Sequence, residues 1–414
     1  EVGAVSYKGS GYGNLETNST DKLGSKSVSN IDNDIHSTRD IYTTSLDWSK
    51  VTSFANIGIG GKLTFSTTAD NYREFLQQSN EANPMTSTNF EYKEDVQAVY
   101  FDISKSINSW DMRFGLRAEN TITEAHEFRL DSINTNNYFE LFPTFSLSYT
   151  TKNNSLLAFS YNRRLSRPWM WALNPRRTYI GDNSVIEGSP FLRPSFGNYL
   201  TLKYAYKKMS FTIGGNFQDD MFNSQTTIYS PGDSLFVIGR YNNYKEQSYY
   251  ANFNVQIDTW SLWTSYNLIS GSYFKNQNTD NTFSIADKEG YSLYLSSNNT
   301  FYPLRGKSRD RLSISLNFWY KPDVDAGREI SYSASNLSLG ANWNVIKDKL
   351  NLTIWASDVF ANQKNIFEAW VNSTYSHVNE YNDIRSVQFS LKYNFGGNVK
   401  VKHKNVNQEE VNRL

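Results

Sequence analysis

The chain has 414 residues, 41 basic against 41 acidic side chains, four histidines and no cysteine. Zero net charge argues against a nucleic-acid partner held by phosphate neutralisation, and the absence of cysteine removes thiol and disulfide chemistry. Mean hydropathy is −0.60, and no apolar run reaches the ~18 residues of a helical span, so the chain cannot cross a membrane as helices.

Residues 1–40 are rich in Gly, Ser, Asn and Asp; residues 2–12 read as one weak strand and the rest as loop. From Tyr42 onward the apolar residues recur with a period of two, the period of a strand whose faces meet different surroundings. Val99, Phe101 and Ile103 oppose Tyr100, Asp102 and Ser104. In residues 110–119 the polar face carries Asp111, Arg113, Arg117 and Glu119. Four charges on one face do not fit a sandwich core, because an unpaired buried charge is very costly; they fit a water-filled lumen, as a charge ladder that tunes permeation or as ion pairs that brace the wall. Tyr249, Ala251, Phe253, Val255 and Ile257 oppose Asn252, Asn254, Gln256 and Asp258. Leu312, Ile314, Leu316 and Phe318 oppose Arg311, Ser313, Ser315 and Asn317, and Leu337, Leu339, Ala341, Trp343 and Val345 oppose Asn336, Ser338, Gly340, Asn342 and Asn344. The last such stretch places Val387, Phe389, Leu391, Tyr393 and Phe395 on one face.

A membrane-crossing β-strand needs about 9–11 residues with apolar-out, polar-in alternation. The pattern recurs often enough for about 14–16 strands, and aromatics make up 15% of the chain, as the girdles of such barrels require. The expected fold is an all-β transmembrane antiparallel up-and-down barrel over residues 41–396. Residues 1–40 form a polar N-terminal segment and residues 397–414 a charged periplasmic tail. Short connections at 107–109, 151–154, 207–208, 258–259 and 346–349 alternate with long ones near 76–90, 129–140, 165–196, 222–240, 274–288, 321–333 and 361–378. Short turns at one end and long loops at the other is the outer-membrane habit. Phe114, Leu116, Phe253, Val255, Leu316, Leu339 and Leu391 are expected to face lipid. No signal peptide is read at Glu1, which fits a mature chain or a fragment.

Several stretches resemble one family. Phe90-Glu91-Tyr92-Lys93-Glu94-Asp95-Val96-Gln97-Ala98-Val99-Tyr100 resembles a strand opening of TonB-dependent receptor barrels of the outer membrane protein beta-barrel family. Tyr161-Asn162-Arg163-Arg164-Leu165-Ser166-Arg167-Pro168 followed by Leu173-Asn174-Pro175 is similar to that family, as is Glu187-Gly188-Ser189-Pro190-Phe191-Leu192-Arg193-Pro194. Ser357-Asp358-Val359-Phe360 resembles the close of its penultimate strand, and Tyr393-Asn394-Phe395-Gly396-Gly397, with the terminal 409–414, resembles its ending. The resemblance covers roughly residues 40–414. It implies a nutrient-uptake barrel; it also implies an N-terminal plug and 22 strands, for which this chain has no room. The expectation is therefore the C-terminal barrel part of such a receptor, or a reduced relative without a plug.

The most pointed candidate site is the segment 163–194, where Arg164, Arg167, Arg176, Arg177 and Arg193 interleave with Trp169 and Trp171. Arginine with aromatics can bind anions or sugars. The resemblance implies the other reading, an ordered loop that folds inward and packs. Two segments could fill the lumen: residues 1–40 and this loop. His36, His126, His377 and His403 lack metal-ligand spacing, so no metal is expected, and no cofactor. Gly58 to Gly61 precede no helix that could cradle phosphate; glycine there eases a strand bend. No Gly-x-Ser-x-Gly elbow occurs, and no enzyme is expected. The function expected is nutrient or ligand transport across the outer membrane of a Gram-negative bacterium. The alternative is a plugless structural or accessory subunit of a larger outer-membrane complex. The expected partners are outer-membrane lipid and other outer-membrane or periplasmic proteins. A secreted soluble adhesin or glycan binder fits the charged strand faces poorly.

Overall fold

The structure, a computed structural model, describes residues 1–395 except 21–25, 79–80, 130, 182, 223–224, 233, 260–261, 280–286, 328, 348 and 372–373. The tail 397–414 with His403, and part of the loop read at 274–288, lie outside the described residues.

Sixteen strands form one antiparallel sheet in chain order. They are β1 (Val2–Thr20), β2 (Lys26–Val51), β3 (Asn56–Gln78), β4 (Glu81–Ile107), β5 (Trp110–Glu127), β6 (Ser132–Thr150), β7 (Leu156–Ser166) and β8 (Ser195–Tyr206). The second half comprises β9 (Met209–Met221), β10 (Tyr244–Thr259), β11 (Trp263–Asn278), β12 (Lys288–Phe301), β13 (Leu312–Lys321), β14 (Ala334–Ile346), β15 (Leu350–Ser357) and β16 (Ser386–Tyr393). Each strand pairs with its chain neighbours; among the described residues, β1 and β16 each have one partner strand only. This is the up-and-down order that the alternation predicts.

The register aligns the apolar positions of successive strands. Ile57, Ile103, Phe114 and Phe145 are cross-strand partners in turn. So are Phe211, Phe253, Ile269 and Leu295. Because paired residues share a face, these rows make one continuous apolar surface, and the expected lipid-facing residues lie in it: Leu316 pairs with Leu339, and Leu352 with Leu391. The other face carries rows such as Asp102, Gly115 and Thr144. A slip of one residue would exchange the faces, so the bilayer itself selects this register.

Three expectations are corrected. The N-terminal residues are wall, not loop or lumen filler: β1 pairs with β2 from Val2↔Thr44 to Thr20↔Lys26. The stretches 76–90 and 129–140 belong mostly to strands, and the strand read as turning at 258–259 continues through Thr259. The first two share a cause. β4 has 27 residues, which at ~3.3 Å each run to about 90 Å, far beyond the ~30 Å hydrocarbon layer even when tilted. Above the membrane both faces meet polar surroundings, so the ladder continues while the apolar alternation disappears. At the short-turn end, the two-residue hairpins place Asn108 and Lys207 at φ 51°, the positive φ that tight hairpins need.

The long loops at the other end have structure of their own. Arg177–Gly181, Ser184–Glu187, Leu235–Arg240 and Gln225–Ser230 form a four-stranded sheet, with Phe236 running parallel to Ser184. Val324–Asp325, Glu329–Ser331, Asn365–Val371 and Thr374–Glu380 form another.

Candidate functional site

β7 stops at Ser166, where Pro168 next removes a ladder donor. The chain then leaves the wall and folds over the inner face as a single helical turn, Met170–Leu173. Met170, Ala172, Leu173, Leu192 and Phe222 bury themselves against Phe90, Tyr92 and Ala125 of that face, with Trp169 packed alongside. Polar ties fix the loop to separate strands. Asn174 Nδ2 donates to Asp70 Oδ2 at 3.0 Å, and Asn134 Nδ2 donates to the Pro190 carbonyl at 2.7 Å. The return limb passes so close to the helical turn that a Cβ on Gly188 would lie 2.2 Å from the Asn174 carbonyl oxygen. The Ser189 N–H there donates to the Ala172 carbonyl at 2.7 Å.

Arg167 is the central latch. Its guanidinium lies 3.5 Å from Glu94, pairs with Glu119 and donates to Thr121 Oγ1 at 3.2 Å. Glu94 and Glu119 are 2% and 4% exposed, so the cluster sits where water screens little. Arg117 also donates to Glu119, at 2.6 Å. Of the remaining inward charges, Arg113 Nε donates to Asp102 at 2.6 Å, and Asp111 accepts from Ser106 Oγ at 2.5 Å.

The other candidate residues separate. Trp169 and Trp171 stack at 5.7 Å with 3° between planes, and the Arg240 guanidinium lies 5.2 Å from each ring centre. Arg240 thereby joins the two long loops. Arg177 Nε donates to Glu187 at 2.8 Å, and Arg193 Nη2 to Asp220 at 2.7 Å. Arg164 lies over Tyr199 at 5.9 Å and Arg176 over Tyr72 at 4.9 Å. Arg240, Glu94 and Asp70 are the functional neighbours that sequence reasoning missed. Glu94 shares strand parity with Tyr92 and Val96, a signal that it points inward; nothing local marks Arg240.

The loop leaves a cavity on each side. Toward the short-turn end a cavity of about 420 Å³ is lined by Lys62, Glu94, Arg117, Glu119, Arg163 and Arg164 among others. Toward the long-loop end, one of about 740 Å³ is lined by Arg129, Arg177, Tyr179, Phe191, Arg240 and Tyr241 among others. Both fall within the ~300–1,000 Å³ of small-molecule sites.

Residues 4–393 match the outer membrane protein beta-barrel family. The chain belongs to that family. It is an outer-membrane protein of a Gram-negative bacterium, as the sequence resemblance implies. No curated protein matches it. Among solved structures, the ferripyoverdine receptor of the outer membrane of Pseudomonas aeruginosa is similar at 10% identity and TM-score 0.57, covering 95% of this chain and 54% of that one. The copper transporter OprC is similar at 10% identity and TM-score 0.59, covering 94% and 61%. The ferric yersiniabactin uptake receptor FyuA from Yersinia pestis is similar at 11% identity and TM-score 0.54, covering 95% and 59%. This family member thus spans little more than half the length of those structures. At such identity they show the fold, that of TonB-dependent-receptor-like barrels.

Proposed function

We propose that the protein takes up a nutrient across the outer membrane, as a receptor-type barrel, and that the loop 167–194 floors the vestibule receiving it. The observation that carries this reading is the inward fold of that loop, latched to the wall through Arg167 and leaving the 740 Å³ cavity above it. Arg177, Tyr179, Arg240 and Tyr241 line the vestibule. Arg117 and Glu119 brace the wall beneath it. Arg167 and Arg193 hold the loop rather than the ligand, since each faces a carboxylate and neither lines the vestibule, whereas Arg177 lines it while paired with Glu187.

The reading is tested by comparing cells that lack the gene with complemented cells on limiting ferric chelates, oligosaccharides and other scarce nutrients. One class should fail to enter without the protein, and uptake should fall again when residues 168–192 are replaced by a short Gly-Ser link. Equal growth on every class, with the protein confirmed at the surface of complemented cells, would overturn it.

A further inference from the structure

The register divides the inner face into two unlike walls. On β2–β6 it carries charges throughout, including Arg39, Lys62, Glu94, Asp102, Arg113 and Glu119. On β10–β15 the inward charges Glu246, Asp258, Lys288 and Lys321 stand at the strand ends, and the rows between them change character: Asn252, Ser270 and Tyr294 are partners in turn, as are Asn298 with Asn317 and Asn342 with Thr353. Among the described residues, the inward positions within 248–256, 264–278, 290–300, 313–319, 334–344 and 351–357 include no Asp, Glu, Lys or Arg. They are mainly amides and hydroxyls, with aromatic rings among them.

Some of those rings lie flat on the wall. A Cβ on Gly340 would come within 2.3 Å of the Trp355 ring, and one on Gly214 within 2.4 Å of Tyr250. Each glycine faces its aromatic across the ladder. Tyr250 extends over Gly214 as far as Thr201, 3.0 Å between hydroxyls. The missing side chain lets the ring lie along the sheet with one face toward the lumen.

Toward the short-turn end, this wall holds a concavity of about 440 Å³ lined by Asn254, Gln256, Tyr266, Leu268, Ser296 and Asn298 among others. Tyr266 is 54% exposed. The side chains of Asn254, Tyr266 and Asn298 make no hydrogen bond to another described residue. At the rim Lys208 is paired with Asp258 and Lys207 lies 5.0 Å over the Tyr206 ring; the strand side chains that line the interior carry no charge.

We propose that this concavity binds a neutral polyhydroxylated solute, an oligosaccharide, on its way through the barrel; the inference rests on the uptake reading above. Past the two rim lysines, an ionic solute would lose hydration without meeting an opposite charge. A purely apolar one would cover amides and leave them unpaired. A sugar supplies both hydroxyls for Asn254 and Asn298 and a C–H face for the Tyr266 ring. The charged wall opposite then serves the loop and its latch, while the solute follows the uncharged side.

The test is calorimetric titration of the full-length protein in detergent micelles. The probes are neutral gluco-, manno- and xylo-oligosaccharides of six units, with hexagalacturonate as the anionic counterpart. At least one neutral oligomer should bind. Tyr266→Ala should weaken it about fivefold to tenfold through the lost ring face, Tyr266→Phe should retain most of it, and Arg39→Gln on the charged wall should leave it unchanged. Heat-modifiable gel migration reports whether each variant folds. Preference for the galacturonate, or no binding by any neutral oligomer, overturns the inference. Uptake of a charged nutrient that survives Tyr266→Ala would do so while leaving the uptake reading standing. Oligosaccharide binding without uptake by cells would leave this site and remove the uptake reading.

Discussion

Replacing Arg167 with methionine should unfasten the loop without unfolding the wall. The side chain is 18% exposed and faces Glu94 and Glu119. Removing one member of a buried ion cluster costs about 3–5 kcal/mol, because the partner charge stays buried. Glu119 keeps Arg117 at 2.6 Å, so the loss falls mainly on Glu94 and the lower figure applies. About 3 kcal/mol corresponds to a ~150-fold change in an opening equilibrium. The wall's ladders do not depend on Arg167, so the effect stays local. Hydrogen exchange read by mass spectrometry should show the amides of Asn174 and Ser189 exchanging about a hundred times faster in Arg167→Met, with β5 and β6 unchanged. Adding Glu94→Gln should recover at least half of the lost protection, since it removes the buried charge that faced Arg167. If Arg167→Met leaves loop exchange within about threefold of the parent, the latch has no energetic role and the loop is held by its apolar contacts alone.

Other outcomes follow from the faces and the loop's packing. Leu116→Arg sets a charge against lipid and should cost about 2–4 kcal/mol near the bilayer midplane; reversible urea unfolding in bilayers checks this, and unchanged stability would reject the face assignment. The chain has no cysteine, so single cysteines report without background. Asn254→Cys and Ser315→Cys should react with a small water-soluble thiol reagent, and Val255→Cys and Leu316→Cys should not; the reverse pattern would shift the register by one. Gly188→Ala pushes a methyl group into the Asn174 carbonyl and should destabilise the loop by about 1–3 kcal/mol, visible as faster proteolysis within 168–192; unaltered protection would show that the limb has room to move.

The membrane-spanning part of the wall is legible because lipid and water impose the two-residue period directly on the sequence. Leu316 opposite Leu339, and Phe211 opposite Phe253, follow from that period once the strands are set in chain order. The parts that were not legible lack such a local signal. β1 and the upper half of β2 lie against polar surroundings on both faces, so their pairing leaves no apolar stripe. The parallel ladder from Phe236↔Ser184 to Ile238↔Ile186 joins segments about fifty residues apart, and no local pattern encodes such a pairing. Asn174 and Asp70 meet across 104 residues.

The arginine-rich loop shows why composition alone marks a site poorly. Arginine suits a ligand's carboxylate and the protein's own carboxylate equally well, so the number of acidic groups that the fold brings near decides between the roles. Here Arg163 faces Glu140, Arg167 faces Glu94 and Glu119, Arg177 faces Glu187, and Arg193 faces Asp220. Each acid comes from another strand or another limb of the loop, so the sequence shows the cation and conceals its partner. Trp169 is likewise spent on packing against Phe222. On the opposite wall, Asn254, Asn298 and Tyr266 draw no notice as a cluster, because each is an ordinary inward residue of its own strand. Their side-chain polar atoms bond to no other described residue and face the concavity. For recognition, that uncommitted hydrogen-bonding capacity matters more than a high local count of arginine.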